Sequence, residues 1–430
     1  MAATPLNSGP IAKLFAQGVR QSGVAQVLCT VRKHLGMDVA FITHFREVDR
    51  VFEHVDSDGT APIHEGQAIP LEDGYCLKIV RGELPQLIPD TSLVPAALAL
   101  PETRGVPIGA HVSVPIELSD GEIYGTLCCF SRAPNPTLGE RDMRMMRALG
   151  EVLASRIDED LAAGRSQQRT IEEIRQALSK GAPRIVYQPI YSFAGAAVTI
   201  MGVECLSRFD FDPRRTPDVW FNTAHEAGIG TELERRAIEL SLAALEHLPA
   251  PLTLSLNCSP ELLISGELDA VLRGVDLSRV VLEITEHAAV ADYQALSEAL
   301  APFRSRGARL AIDDAGAGYA SMRHILNLKA DVIKLDISLT RQIDIDASRR
   351  ALAKGLIAFA HDIGSTVTAE GVETNSELAA LRAIGVDKVQ GYFLGRPQAL
   401  EDVVAAVQAE SGTFPRAGVD EPSRLERAAG

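Results

Sequence analysis

Apolar residues change their spacing several times along the chain, and each change marks an element. Residues before about Ile11 read as a loose tail. Val24, Val27, Leu28, Val31 and Leu35 then recur at three- and four-residue intervals and predict an amphipathic helix. From Val39 to Phe45 the run VAFITHF predicts a strand. Residues 110–131 contain two β-rich runs around Asp120-Gly121, the signature of a hairpin, because glycine accepts the positive φ of a tight turn. A helix followed by a sheet meander predicts an α+β domain over residues 10–160, its sheet ending near 135. Met146, Leu149, Leu153, Ile157 and Leu161 continue a helical stripe. It breaks at AAGRSQQR and resumes at Ile171, Ile174 and Leu178. This narrow stripe suits a connecting helix or short two-stranded coil, with a linker over 161–182, or equally a helix packed on its own domain.

From residue 184 strands and helices alternate. Strand-like runs fall at 184–191, 198–209, 252–259, 280–286, 309–314, 331–336, 366–371 and 388–394, with helical patterns between most of them. Eight strands, mostly in βα units, predict an α/β TIM-type barrel over 183–410; a doubly wound open sheet is the alternative. The tail 411–430, rich in Gly, Pro, Ser and charge, is expected to be disordered.

Nearly every barrel strand carries a polar residue within or just after its apolar run: Glu204, Asn257, Glu283, Asp313 and Asp314, Lys334, Glu370 and Gln390. Strand ends converge on one mouth of a barrel, so these residues meet. Two carboxylates ~4 Å apart at an effective dielectric near 20 repel by roughly 4 kcal/mol. Five acids with one lysine must therefore take up protons or cations. All-oxygen donors suit Mg²⁺ or Mn²⁺, and two such ions would neutralise the remaining charge. A two-metal centre is the usual apparatus for phosphodiester hydrolysis. Glycoside hydrolysis needs only two carboxylates, and an enolase-like barrel needs a Lys or His base; neither requires so many acids.

Bulk properties narrow the field further. The chain has 430 residues, enough for two or three domains, and a formal net charge of -15. That charge argues against coating a nucleic-acid polymer or an anionic membrane. The start MAATPLNSGP lacks the features of a secretory signal, and no apolar run is long enough to span a bilayer, so a cytoplasmic location is expected. The six cysteines show no C-x-x-C pair and read as packed thiols, with no electropositive neighbourhood visible around Cys76 or Cys128-Cys129.

Eight ordered motifs carry a resemblance: YQPI (187–190), ECLSR (204–208), LNCSP (256–260), LEITE (282–286), DDAGAGYAS (313–321), KLD (334–336), AEGVET (369–374) and QGYFLGRP (390–397). Across 184–410 the chain resembles the EAL-domain cyclic-di-GMP phosphodiesterases. The resemblance implies hydrolysis of c-di-GMP to linear pGpG by a bacterial sensor phosphodiesterase, a homodimer. It assigns Glu204, Asn257, Glu283 and Asp313 to one metal, and Asp313, Asp314 and Glu370 to a second. Lys334, with Glu370 and Glu204, falls in the catalytic set. Gln188, Leu206, Arg208 and Gln390 fall at substrate contacts, and Glu286 and Glu373 at positions supporting the loop after the fifth strand. Family members that bind c-di-GMP without cutting it usually lose metal ligands, and this chain keeps them all. Its loop AGAGYAS departs from the family's F-G-T-G-Y-S-S, which implies altered regulation or dimer contact. Residues 20–160 resemble a GAF domain through GAHVSVPIELSDGEIYGTLCCFSRAP, the following helix and the GYC…GELPQLIPDT stretch within 74–92. This implies a regulatory domain whose ligand the sequence does not name.

Overall fold

The computed structural model describes residues 23–59, 61–194, 197–211, 214–285, 290–316 and 320–412. The chain forms two compact units, Met1–Ser166 and Gln167–Gly430.

The first unit is a six-stranded antiparallel sheet in the order β3-β2-β1-β6-β5-β4. Its strands are β1 (Val39–Phe45), β2 (Asp49–Ser57), β3 (Ala68–Pro70), β4 (Leu87–Ile88), β5 (Ala110–Glu117) and β6 (Ile123–Ser131). The predicted hairpin joins β5 to β6: Gly121 takes φ 86° and its N–H donates to the Leu118 carbonyl at 2.9 Å. Helix α1 (Val24–Leu35) buries Val27, Leu28, Val31 and Leu35, the stripe read from the sequence. These residues pack with Val112, Val114 and Cys129 on one face of the sheet. The opposite face carries Phe41, Phe52 and Cys128, covered by α2 (Tyr75–Val80). Cys128 and Cys129 thus belong to different cores, as the two-residue repeat of a strand requires.

Helix α3 (Glu140–Ser179) is continuous. The AAGRSQQR segment does not interrupt it, because Ala, Arg and Gln favour helix and a lone Gly costs only ~1 kcal/mol. Its first turns bury Met143, Met146, Leu149 and Leu153 in the first unit. Its last turns bury Ile174 and Ala177 against Phe209 and Trp220 in the second.

The second unit is a closed eight-stranded barrel, not an open sheet, in the order β10-β11-β12-β13-β14-β7-β8-β9. The strands are β7 (Arg184–Ala194), β8 (Ala197–Arg208), β9 (Thr253–Asn257), β10 (Val280–Ile284), β11 (Arg309–Ala315), β12 (Val332–Leu335), β13 (Thr366–Ala369) and β14 (Lys388–Val389). The expectation that all strand ends share one mouth needs a correction. β7 runs antiparallel to both neighbours. Only two residues separate β7 from β8, far too few for the crossover a parallel pair needs. The last strand is also shorter than expected. It ends at Val389, and just beyond it Gly391 passes so close to another segment that a Cβ would lie 2.2 Å from the Val372 backbone.

Candidate active site

Alternation along the strands decides which side chains enter the barrel. Val281, Ala311 and Val332 form a small buried apolar cluster, and the residues two positions later are Glu283, Asp313 and Lys334. A period of two therefore places a charged layer directly above an apolar one.

Asp313 and Asp314 are consecutive, and a regular strand would send them to opposite faces. Instead the register of β11 shifts between Ile312 and Ala315, and Asp314 adopts φ 55°. Aspartate is one of the few residues that tolerates this left-handed conformation. The irregularity brings ligand atoms of Asp313, Asp314 and Glu370 within 4.8 Å of one another, and Glu204, Glu283 and Asp313 form a second such group.

Lys334 binds this cluster together and is fully buried. Its Nζ lies 2.7 Å from Glu370 Oε1, 2.8 Å from Glu283 Oε2, 3.2 Å from Asp313 Oδ1 and 3.6 Å from Glu204 Oε1. Burial by itself pushes the Lys334 ammonium down, but the four carboxylates outweigh it and hold the group well above the ordinary lysine value. Burial pushes Glu283 up to about 7; Lys334 opposes the rise, and Glu204 and Asp313 add to it. Burial likewise pushes Glu370 up, against the pull of Lys334. One ammonium is therefore too little charge for these acids. An all-oxygen donor set short of positive charge fits hard divalent cations.

The remaining predicted residues divide into two groups. Gln390 is buried, and its Nε2 donates to Glu204 Oε2 at 2.6 Å. Gln188 pairs across the sheet with Glu204, so it shares the interior face, and its Nε2 donates to the Gly395 carbonyl at 3.1 Å. Leu206, Arg208 and Asn257 instead line a cavity of about 620 Å³ that also reaches Glu283. Arg208 Nη1 is turned back to the Ser207 carbonyl, 2.8 Å away. Glu373 stands apart from the cluster, paired with Arg341, whose Nη2 donates to Oε1 at 2.7 Å. Glu286 lies outside the described residues, as do 317–319 of the AGAGYAS loop.

Sequence reasoning missed a pair on the cavity wall. His225, on α4 (Pro217–Glu226), contacts Glu234, on α5 (Gly230–Leu242), at 2.5 Å. Glu234 Oε2 also accepts from Ser259 N at 3.0 Å, which fixes the loop after β9. A signal existed: Glu234 interrupts the buried stripe Leu233, Ala237, Ile238 and Ser241 with a charge.

A barrel whose mouth gathers carboxylates around one lysine presents the all-oxygen donor set that a hard divalent cation would take. Residues 171–397 match the EAL domain model, more than half of the chain, and the chain belongs to the EAL domain family. Residues 20–157 match the GAF domain model. Probable cyclic di-GMP phosphodiesterase PdeA of Escherichia coli is 29% identical over 301 residues, 67% of this chain and 41% of that protein. Cyclic di-GMP phosphodiesterase NbdA of Pseudomonas aeruginosa is 30% identical over 328 residues, 72% of this chain and 40% of that protein. The chain thus spans less than half the length of either. A solved EAL domain protein of Listeria monocytogenes, 22% identical, superposes with a TM-score of 0.50 over 55% of this chain and 97% of that one, a likeness of fold alone.

Proposed function

We propose that the barrel hydrolyses one phosphodiester bond of c-di-GMP to give linear pGpG, under regulation by the GAF domain. The observation that carries this reading is the convergence of Glu204, Glu283, Asp313 and Glu370 on Lys334 beside a 620 Å³ cavity with Arg208 on its wall. PdeA and NbdA, named as cyclic di-GMP phosphodiesterases, support it.

Glu204, Asn257, Glu283 and Asp313 would hold one Mg²⁺ or Mn²⁺, and Asp313, Asp314 and Glu370 a second. When bound, such ions supply Lewis acidity toward a phosphoryl oxygen and lower the pKa of a water. Lys334 keeps its charge in the barrel and holds the carboxylates in one arrangement. Gln390 fixes the free oxygen of Glu204. Arg208 leaves the Ser207 carbonyl to grip a substrate phosphate with its planar fork. Leu206 supplies apolar wall, and Gln188 secures the Gly395 loop at the substrate's edge. Glu373, tied to Arg341, and Glu286 would support the loop after β11, the fifth barrel strand. The protein acts as a cytoplasmic homodimer in this reading.

Purified protein with Mg²⁺ or Mn²⁺ should convert c-di-GMP to pGpG, with Glu204→Ala inactive. Light scattering should give twice the chain mass. Binding of c-di-GMP by the metal-loaded protein without any pGpG would replace the enzyme with a receptor.

A further inference from the structure

The strongest unassigned chemistry lies in the first unit, between α2 and the sheet. Arg50 is fully buried, and its Nη2 donates to Glu102 Oε1 at 2.7 Å. Glu102 Oε2 accepts from Tyr75 N at 3.1 Å, so that carboxylate is clamped. The other guanidinium nitrogens, Nε and Nη1, are buried with no hydrogen-bond partner among the described residues. Gly74 leaves room for this guanidinium, since a Cβ there would sit 1.9 Å from Nη2. Two residues further on, Cys76 Sγ lies 3.6 Å from Cys128 Sγ, and both thiols are fully buried. Ser113 Oγ and Thr126 Oγ1 lie 3.0 and 3.1 Å from Cys128 Sγ, and Thr43 Oγ1 lies 2.8 Å from Thr126 Oγ1. The positive charge near Cys76 was not legible in the chain, because Arg50 comes from β2 while Cys76 lies on α2.

We propose that Cys76 and Cys128 form a two-electron redox couple that reduces a hydroperoxide and closes to a disulfide, on the side of the sheet where the Arg50 guanidinium is buried. Two thiols in hydrogen-bond contact need to approach by only ~1.6 Å to reach a bond of about 2.05 Å. The two sulfurs are not equivalent. Burial pushes both thiols up; for Cys76, the hydrogen bond from Cys128 and the charge of Arg50 outweigh it and bring the group down. Cys128 stays well above the ordinary cysteine value. Cys76 lies two residues from Gly74, whose backbone packs on the Arg50 guanidinium, and this places Cys76 as the nucleophile and Cys128 as the resolving thiol.

The chemistry balances in two steps. The Cys76 thiolate attacks the terminal oxygen of the hydroperoxide; the O–O bond breaks, the departing alkoxide takes a proton, and Cys76 becomes a sulfenic acid. Cys128 sulfur then attacks Cys76 sulfur; the sulfenic hydroxyl leaves and takes the Cys128 proton as water. Two thiols lose two electrons, and one peroxide becomes an alcohol or, from hydrogen peroxide, water.

The test uses the full chain, reduced, treated with hydrogen peroxide, alkylated and mapped by mass spectrometry without reduction. The expected product is a peptide pair joined through Cys76 and Cys128 that dithiothreitol separates. In Cys128→Ser the reaction should stop at a sulfenic acid on Cys76 that dimedone traps, with at least tenfold more label than Cys128 receives in Cys76→Ser. Recovery of Cys76 and Cys128 as free thiols while other cysteines are oxidised overturns the proposal. So does equal labelling of the two single variants. The wild-type peptide map decides the couple even where a variant fails to fold.

Discussion

Lys334 in the barrel and Arg50 beneath α2 are both fully buried cations, yet their surroundings are opposite. Lys334 has four carboxylates within 3.6 Å. Among the described residues Arg50 has one, Glu102, and two nitrogens without a hydrogen-bond partner. The first site holds more negative charge than its cation neutralises; the second holds a cation with donors to spare. A low-dielectric interior amplifies either imbalance. The difference teaches that the sign of the leftover charge, more than the presence of a buried ion, decides what a site favours: positive charge at the barrel mouth, negative charge beside the sheet.

The largest effect should come from Lys334→Met. It strands the carboxylates, and urea unfolding in EDTA should show a loss of about 3–5 kcal/mol, the usual result of breaking a buried ion pair. The same variant should lose at least ~100-fold in c-di-GMP turnover. A stability loss below ~1 kcal/mol would mean the acids are already neutral, and the contrast would collapse. Arg50→Met should cost less, about 1–3 kcal/mol, because Glu102 is partly exposed and keeps its bond from Tyr75 N.

Divalent cations give the next test. Glu283 is raised from 4.5 to about 7, so the metal-free chain is stabilised by its proton below 4.5 and loses that contribution as pH rises through 7. A cation competes with that proton. Mg²⁺ should therefore raise the melting temperature more at pH 8 than at pH 6, with up to ~2.7 kcal/mol at a hundredfold excess over the dissociation constant. Equal shifts at both values would show that Glu283 does not titrate with the site.

The smallest effect concerns a balanced pair, one imidazole to one carboxylate. The hydrogen bond to Glu234 raises His225 above 6.5. Its contribution is full below pH 6.5 and disappears as pH rises through the folded value. The urea midpoint should fall from pH 6 to pH 8 in wild type, and Glu234→Gln should make that fall slightly smaller by the His225 share, leaving the part due to Glu283.

The barrel was largely legible because period-two patterning and the polar interruptions coincide: Glu283, Asp313 and Lys334 each stand two residues after an inward apolar side chain. What one-dimensional spacing does not encode is which strands are neighbours and which way each runs. The antiparallel entry of β7 follows from a two-residue connection that the pattern alone did not weigh. The inward turn of Asp314 depends on a bulge. The Arg50–Cys76–Cys128 group joins residues from β2, α2 and β6, and no local pattern links them. His225 and Glu234 meet for the same reason, although the charge at Glu234 on a buried stripe was readable in advance.

The reversed direction of β7 has a mechanical consequence. Arg184, at the start of that strand, pairs with Arg208 at the end of β8. The chain therefore enters the barrel through its rim, at the edge where Arg208 stands, rather than through its floor. The last turns of α3 seat on Phe209, the residue after Arg208, and on Trp220. A push or twist applied to that helix is delivered one residue from the proposed phosphate grip, with no strand length over which to be damped.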